Sequence, residues 1–263
     1  VLRVEKCKSS IKHHPTPAMR YFLEISYVGT RYKGWQLQPR TKTIQAEINT
    51  VLAQLFSQEI KSTGCGRTDA GVHAKQFFLH FDSDNQAHKE FLYKANRLLP
   101  DDIVVKRIIP VADDARSRQD ATSRTYEYLL HLKKDPFLHD SSFYFPYGKP
   151  VLHKMEEAAA LLKTFKDFKP LSKTDTHEKT SLCNIYFSEW EKLHDNQYRY
   201  TIIADHFLRG MVRLTVGAML MIGTDKMTLA EFQMVMKRKE KFIYLLAVPG
   251  CGLSLTEVKY PYL

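Results

Sequence analysis

The chain has 263 residues, 44% of them hydrophobic, which gives one or two domains with a proper core and excludes a disordered chain. No apolar run is long enough to span a membrane, no signal-peptide pattern opens the chain, and Cys7, Cys65, Cys183 and Cys251 form neither a disulfide framework nor a CxxC metal pair, so a reducing cytoplasm is expected. Lys and Arg total 39 against 29 Asp and Glu, a formal charge of +10; this favours a polyanionic partner, with a merely basic protein as the plainer alternative.

Residues 1–19 read as a basic tail without periodicity, and Met19 fits a natural start. A metal could bind at His13-His14, but neighbouring histidines in a basic tail are more commonly just solvated. Tyr21, Leu23, Ile25 and Tyr27 alternate, which predicts a half-buried strand. After a loop with Gly34-Trp35, Thr43 caps a helix whose apolar positions are Ile44, Ile48, Val51, Leu52, Leu55 and Phe56. A short strand is expected around Glu59 to Thr63 and another at Gln76–Phe81. A helix from about His88 to Leu99 is expected to bury Phe91, Leu92, Ala95, Leu98 and Leu99. A strand at Ile103–Ile109, closed by Pro110, completes a β-α-β-β-α-β order.

The second half repeats that order, without repeated sequence. It opens with a strand at Tyr126–Leu132 and a proline-rich loop to Pro150. A helix follows with Leu152, Met155, Ala159, Leu162 and Phe165 on one face. The stretch Lys169 to Lys179 reads as polar and mobile. Strands run near Leu182–Leu193 and Tyr198–Ala204, with Asp195-Asn196 as the turn. A helix from about Arg209 to Ile222 comes next. Thr228 and Glu231 form a capping box that starts another, and Leu253–Tyr260 closes the chain. The fold class is therefore α+β, two tandem ferredoxin-like (βαββαβ) halves sharing one continuous, mostly antiparallel sheet with helices on one side. The boundaries are a tail at 1–19, a first half at 20–112 and a second at 113–263.

One loop stands out: Gly64-Cys65-Gly66-Arg67-Thr68-Asp69-Ala70-Gly71-Val72-His73-Ala74. Small residues crowd one aspartate and one arginine. The stretch fits a tight turn whose aspartate caps the next element. It equally fits a reactive carboxylate in a cramped site, held charged by a neighbouring cation such as Arg67, which could instead bind a phosphate. Arg209 and Arg213 are four apart and so would share a helical face. They could snorkel to solvent, or one could reach into a cleft and hold a carboxylate. Arg124, Tyr126 and Tyr128 fall on one strand face, either as core or as a site edge where a ring stacks on a base. His73 and His80 lack an evident acidic partner and read as structural. No P-loop, GxGxxG, HExxH or GxSxG is present, so no metal and no cofactor is expected.

Gly66 to Ala74 closely resembles the nucleophile loop of the TruA family of tRNA pseudouridine synthases. Tyr27–Gln36, Asn96–Pro100, Ala121–Tyr128, Phe207–Arg213, Gly252-Leu253 and Tyr260-Pro261 resemble other motifs of that family in the same order. The resemblance runs from about residue 20 to the end. It implies two ferredoxin-like halves around a central basic cleft, and a homodimer that binds tRNA across both subunits. The implied reaction isomerises uridine to pseudouridine in the anticodon stem-loop, at tRNA positions 38, 39 and 40. Matched by position, Asp69 is the nucleophile and Arg67 helps extrude the target base. Tyr126 stacks on uracil and can accept its C5 proton. Arg213 pairs with the nucleophilic carboxylate, Leu253 lines the uracil pocket, and Arg209 contacts substrate. Gly210 departs from the family, in which many members carry a larger polar residue there. The rivals are an RNA-binding protein without catalysis and an aspartate-dependent nucleoside hydrolase.

Overall fold

The computed structural model describes residues 18–173 and 180–263. Nearly all of the expected tail, with Cys7 and His13-His14, lies outside the described residues, as do residues 174–179 of the polar stretch.

Strand β1 (Met19–Tyr27) forms where the alternation places it. It is not half-buried, however: Phe22 and Glu24 are covered as well as Tyr21, Leu23, Ile25 and Tyr27. The reason is a second cover, since Phe22 packs edge-on against Tyr260 with ring centroids 5.4 Å apart. Helix α1 (Ile44–Phe56) starts at Thr43, whose hydroxyl accepts from the Ala46 N–H at 3.4 Å. Of the expected stripe it buries Ile44, Ile48, Val51, Leu52 and Phe56, with Leu55 half-buried at its edge.

Strand β2 is only Thr63–Gly64, shorter and later than expected. Residues ahead of it are tied to the helix instead, with Ser62 bonded through its N–H and hydroxyl to Asn49 Oδ1. Strand β3 runs His73–Ser83. Helix α2 (Phe91–Leu98) is shorter than expected and buries Phe91 and Ala95, with Leu99 covered just beyond it. Leu92 and Leu98 are exposed, because so short a helix presents one narrow stripe to the sheet. Strand β4 is Ile103–Val111.

Further along the chain come β5 (Ser123–His131), β6 (Phe143–Tyr144) and α3 (Leu152–Leu162), then β7 (Ile185–His194) and β8 (Gln197–Ala204). Last come α4 (Met211–Gly223), α5 (Leu229–Arg238) and β9 (Leu253–Lys259). Strand β6 sits inside the proline-rich loop and pairs in parallel with β5. Phe165 lies beyond the end of α3. The capping box of α5 forms as read.

Among the described residues these strands make one nine-stranded, mostly antiparallel sheet in the order β4-β1-β3-β9-β5-β8-β7, with β2 on β3 and β6 on β5. The fold is α+β. Along the path from β4 to β7 the narrowest joint is the parallel pairing of β3 with β9, limited to His73 with Ser254 and Ala74 with Leu255. The loop carrying Asp69 enters β3 at this joint. Strand β5, carrying Tyr126, lies on the other side of β9.

Candidate active site

The Asp69 loop is held by its neighbours' backbones. The Trp35 N–H donates to the Thr68 carbonyl at 3.1 Å, and the Gly71 N–H donates to the Tyr32 carbonyl at 3.3 Å. Glycine is required at position 34, where φ is +93° and a Cβ would stand 2.4 Å from the Thr68 carbonyl oxygen. The Thr68 hydroxyl is buried against the Tyr27 hydroxyl at 2.8 Å. At the loop's entrance, buried Arg124 donates to the Cys65 carbonyl at 2.9 and 3.3 Å. The same guanidinium reaches the carbonyls of Arg118 and Asp205, both at 2.7 Å, and of Ala121 at 3.4 Å. Its planar fork of donors is what permits one side chain to join these segments.

At the loop's exit, the His73 ring spans the joint. The Gly29 N–H donates to Nδ1 at 3.0 Å, so the ring's hydrogen sits on Nε2 and is given to the Cys251 carbonyl, also at 3.0 Å. Burial pushes the His73 pKa down, in keeping with a neutral structural ring.

Asp69 is three-quarters covered. Arg213 Nη1 donates to its Oδ2 at 2.8 Å, and Lys173 Nζ lies 3.7 Å from the same oxygen. Arg213 is itself fixed, its Nε donating to the Val248 carbonyl at 2.6 Å while its own carbonyl accepts from the Val248 N–H at 3.2 Å. It stands in the first turn of α4, where the helix dipole adds positive potential beside the carboxylate. Among the described residues Oδ1 has no hydrogen-bond partner. The site therefore holds one carboxylate oxygen and leaves the other open, an arrangement suited to attack on carbon or to taking a proton.

Tyr126 is buried on β5, with its ring perpendicular to Phe207 and centroids 5.1 Å apart. Burial pushes its phenol pKa far up, with the Arg124 guanidinium opposing the shift and the Asp69 carboxylate adding to it. The phenol thus stays protonated through the physiological range. Leu253 is buried at the start of β9, opposite Tyr128 in the ladder. Tyr128 donates its hydroxyl hydrogen to the Pro249 carbonyl at 2.9 Å.

Two expectations need correction. Arg67 does not hold Asp69: its side chain is exposed, and the cations at the carboxylate are Arg213 and Lys173. Arg209 does not share a helical face with Arg213, because α4 begins only at Met211, after Gly210 at φ +71°. Arg209 is an exposed loop residue. Lys173 was not singled out, since it lies 104 positions from Asp69 in a stretch that reads as plain polar loop.

Known proteins resemble this chain along nearly its whole length. A family model described as tRNA pseudouridine synthase matches residues 158–261. The chain is 42% identical over 244 residues to tRNA pseudouridine synthase A of Parabacteroides distasonis, covering 92% of this chain and 96% of that one. The chain belongs to the TruA family of tRNA pseudouridine synthases. A Bacteroides thetaiotaomicron relative of the same name is 40% identical over 245 residues, 92% of this chain and 91% of the relative. A third, from Dictyoglomus turgidum, is 37% identical over 246 residues, covering 90% and 98%. As a pseudouridine synthase the enzyme is an isomerase. No helix among its described residues is long and apolar enough to cross a membrane.

Proposed function

We propose that this synthase converts uridine to pseudouridine in the anticodon stem-loop of tRNA, at positions 38, 39 and 40, with Asp69 as the nucleophile. The N1–C1′ bond of the nucleotide breaks, a C5–C1′ bond forms, C5 gives up its hydrogen and N1 gains one. Nothing is oxidised or hydrolysed in that balance. Attack at C6, attack at C1′ and removal of a sugar proton each call for a free carboxylate oxygen beside the glycosidic bond. The observation that carries the reading is Asp69 pinned through Oδ2 by Arg213, with Oδ1 open.

The remaining roles follow from position. Tyr126, held as a neutral phenol, offers its ring to the uracil, and Leu253 lines the base pocket. Exposed Arg67 is free to enter the stem and help turn the base out, at a cost of a few kcal/mol. Arg209 meets the RNA backbone. The chain comprises two ferredoxin-like halves, 20–112 and 113–263, around a basic cleft. The sheet orders β4-β1-β3-β2 and β9-β5-β8-β7 repeat one pattern and support that division. The enzyme works as a cytoplasmic homodimer.

Incubation with an unmodified tRNA transcript, digestion to nucleosides and mapping of the product test this. Pseudouridine in the anticodon stem-loop is expected. Free uracil would indicate a hydrolase, neither product an RNA-binding protein, and pseudouridine elsewhere another target.

A further inference from the structure

Lys173 belongs to two environments. Its ammonium stands 3.7 Å from Asp69 Oδ2, and it also lines a groove of about 590 Å³ together with Ser172, Arg209, Lys241, Phe242 and Leu246. Gly210 explains how it reaches both. A Cβ on Gly210 would meet Lys173 Cγ at 3.0 Å, Cε at 3.1 Å and Cδ at 3.2 Å. The lysine stem therefore lies flat across bare backbone, and its own N–H donates to the Arg209 carbonyl at 3.0 Å.

The groove's chemistry is one-sided. Three cations line it, and no carboxylate does among the described residues. The Lys241 ammonium donates to the carbonyl of Ser172 and to its hydroxyl, 3.2 Å away. Desolvation, with the Lys169 charge nearby, pushes the Lys241 pKa down, as befits a cation short of counter-charge. On the same loop as Lys241, Ile243 and Tyr244 are 85% and 84% exposed. Cations beside exposed apolar and aromatic surface suit a single RNA strand, whose phosphates take the charge and whose bases take the ring.

We propose that Lys173, Arg209 and Lys241 form a seat for one phosphodiester of the RNA strand flanking the target nucleotide, with Gly210 as the ledge that lets Lys173 reach it from the Asp69 site. The seat rests on the reading of the active site given above. A lysine suits the shared position, since its three donors sit on a flexible stem and can turn between carboxylate and phosphate.

The test uses the full chain and an unmodified tRNA transcript, with affinity followed across added KCl. The Lys173→Met/Arg209→Gln/Lys241→Met variant is expected to bind more weakly, with a log–log salt slope shallower by about 0.7–0.9, the loss of one phosphate contact. Anticodon stem-loop RNAs carrying one neutral methylphosphonate, placed on either side of the target uridine, localise the seat. One of them should weaken the unaltered enzyme and leave the triple variant unaffected. Gly210→Asn retains all three charges, and asparagine tolerates positive φ; it should weaken binding by displacing the lysine stem. An unchanged slope, or equal methylphosphonate penalties in both proteins, overturns the seat. Affinity unaltered by Gly210→Asn overturns the ledge. Pseudouridine formation by the unaltered enzyme is scored in parallel, and its absence instead overturns the underlying reading.

Discussion

Arg213 divides its guanidinium between two partners 179 residues apart in sequence, giving Nη1 to Asp69 at 2.8 Å and Nε to the Val248 carbonyl at 2.6 Å. A carboxylate held by a guanidinium that is itself anchored has a fixed open oxygen. Under the role proposed for Asp69, this preorganisation is what the reaction needs of it.

Arg213→Lys tests that division of labour. A lysine has one nitrogen and cannot serve both partners. Loss of a charge-assisted hydrogen bond worth about 1.5–3 kcal/mol should lower turnover roughly 10- to 100-fold. Single-turnover rates on bound tRNA measure this. Unchanged rates would show that the pair is structural only.

Arg124 ties together the backbone at the entrance of the Asp69 loop. Arg124→Met leaves the carbonyls of Cys65, Arg118, Ala121 and Asp205 without this donor. A loss of about 2–4 kcal/mol of stability is expected, as for other broken buried networks. Denaturant unfolding should show it, and Arg124→Lys should recover only part.

Tyr126→Phe keeps the ring and removes the hydroxyl. If the neutral phenol relays the C5 proton, taking it on oxygen as it gives up its own, turnover should fall by about 10²-fold while tRNA affinity holds. Between pH 6 and pH 9 the rate should show no rise from phenol ionisation, because burial pushes that ionisation far higher. Kinetics of Tyr126→Phe and Tyr126→Ala, read together, separate proton handling from stacking.

His73 gives the fold an acid limit. Its folded pKa is depressed below the ordinary value of 6.5, so the unfolded chain binds the proton first as pH falls. The stabilisation is fully present above 6.5 and is lost as pH drops through the depressed value. A proton on Nδ1 would also face the Gly29 N–H that now donates to it. Melting temperatures should decline from pH 7.5 to pH 5, and the decline should be smaller in His73→Gln.

Much of this architecture could be read in advance where local pattern decides it. The position of β1, the Thr43 cap of α1 and the Thr228–Glu231 capping box formed as read. The Asp69 loop stood out because small residues surround a lone acid. What stayed hidden depends on distance in sequence. Lys173 shows no local sign of reaching Asp69, and Arg124 reads as one more strand residue until its carbonyl partners are placed. Arg209 was misplaced because Gly210 adopts positive φ and delays α4 by two residues. Strand β6 has two residues among prolines and owes its existence to pairing with β5.

The most direct measurement is pseudouridine formation in an unmodified tRNA transcript by the unaltered enzyme and by Asp69→Asn. The expected result is pseudouridine from the first and none from the second, with the two affinities within about threefold of each other. Pseudouridine formed by Asp69→Asn at a comparable rate would contradict the assignment of Asp69 as nucleophile.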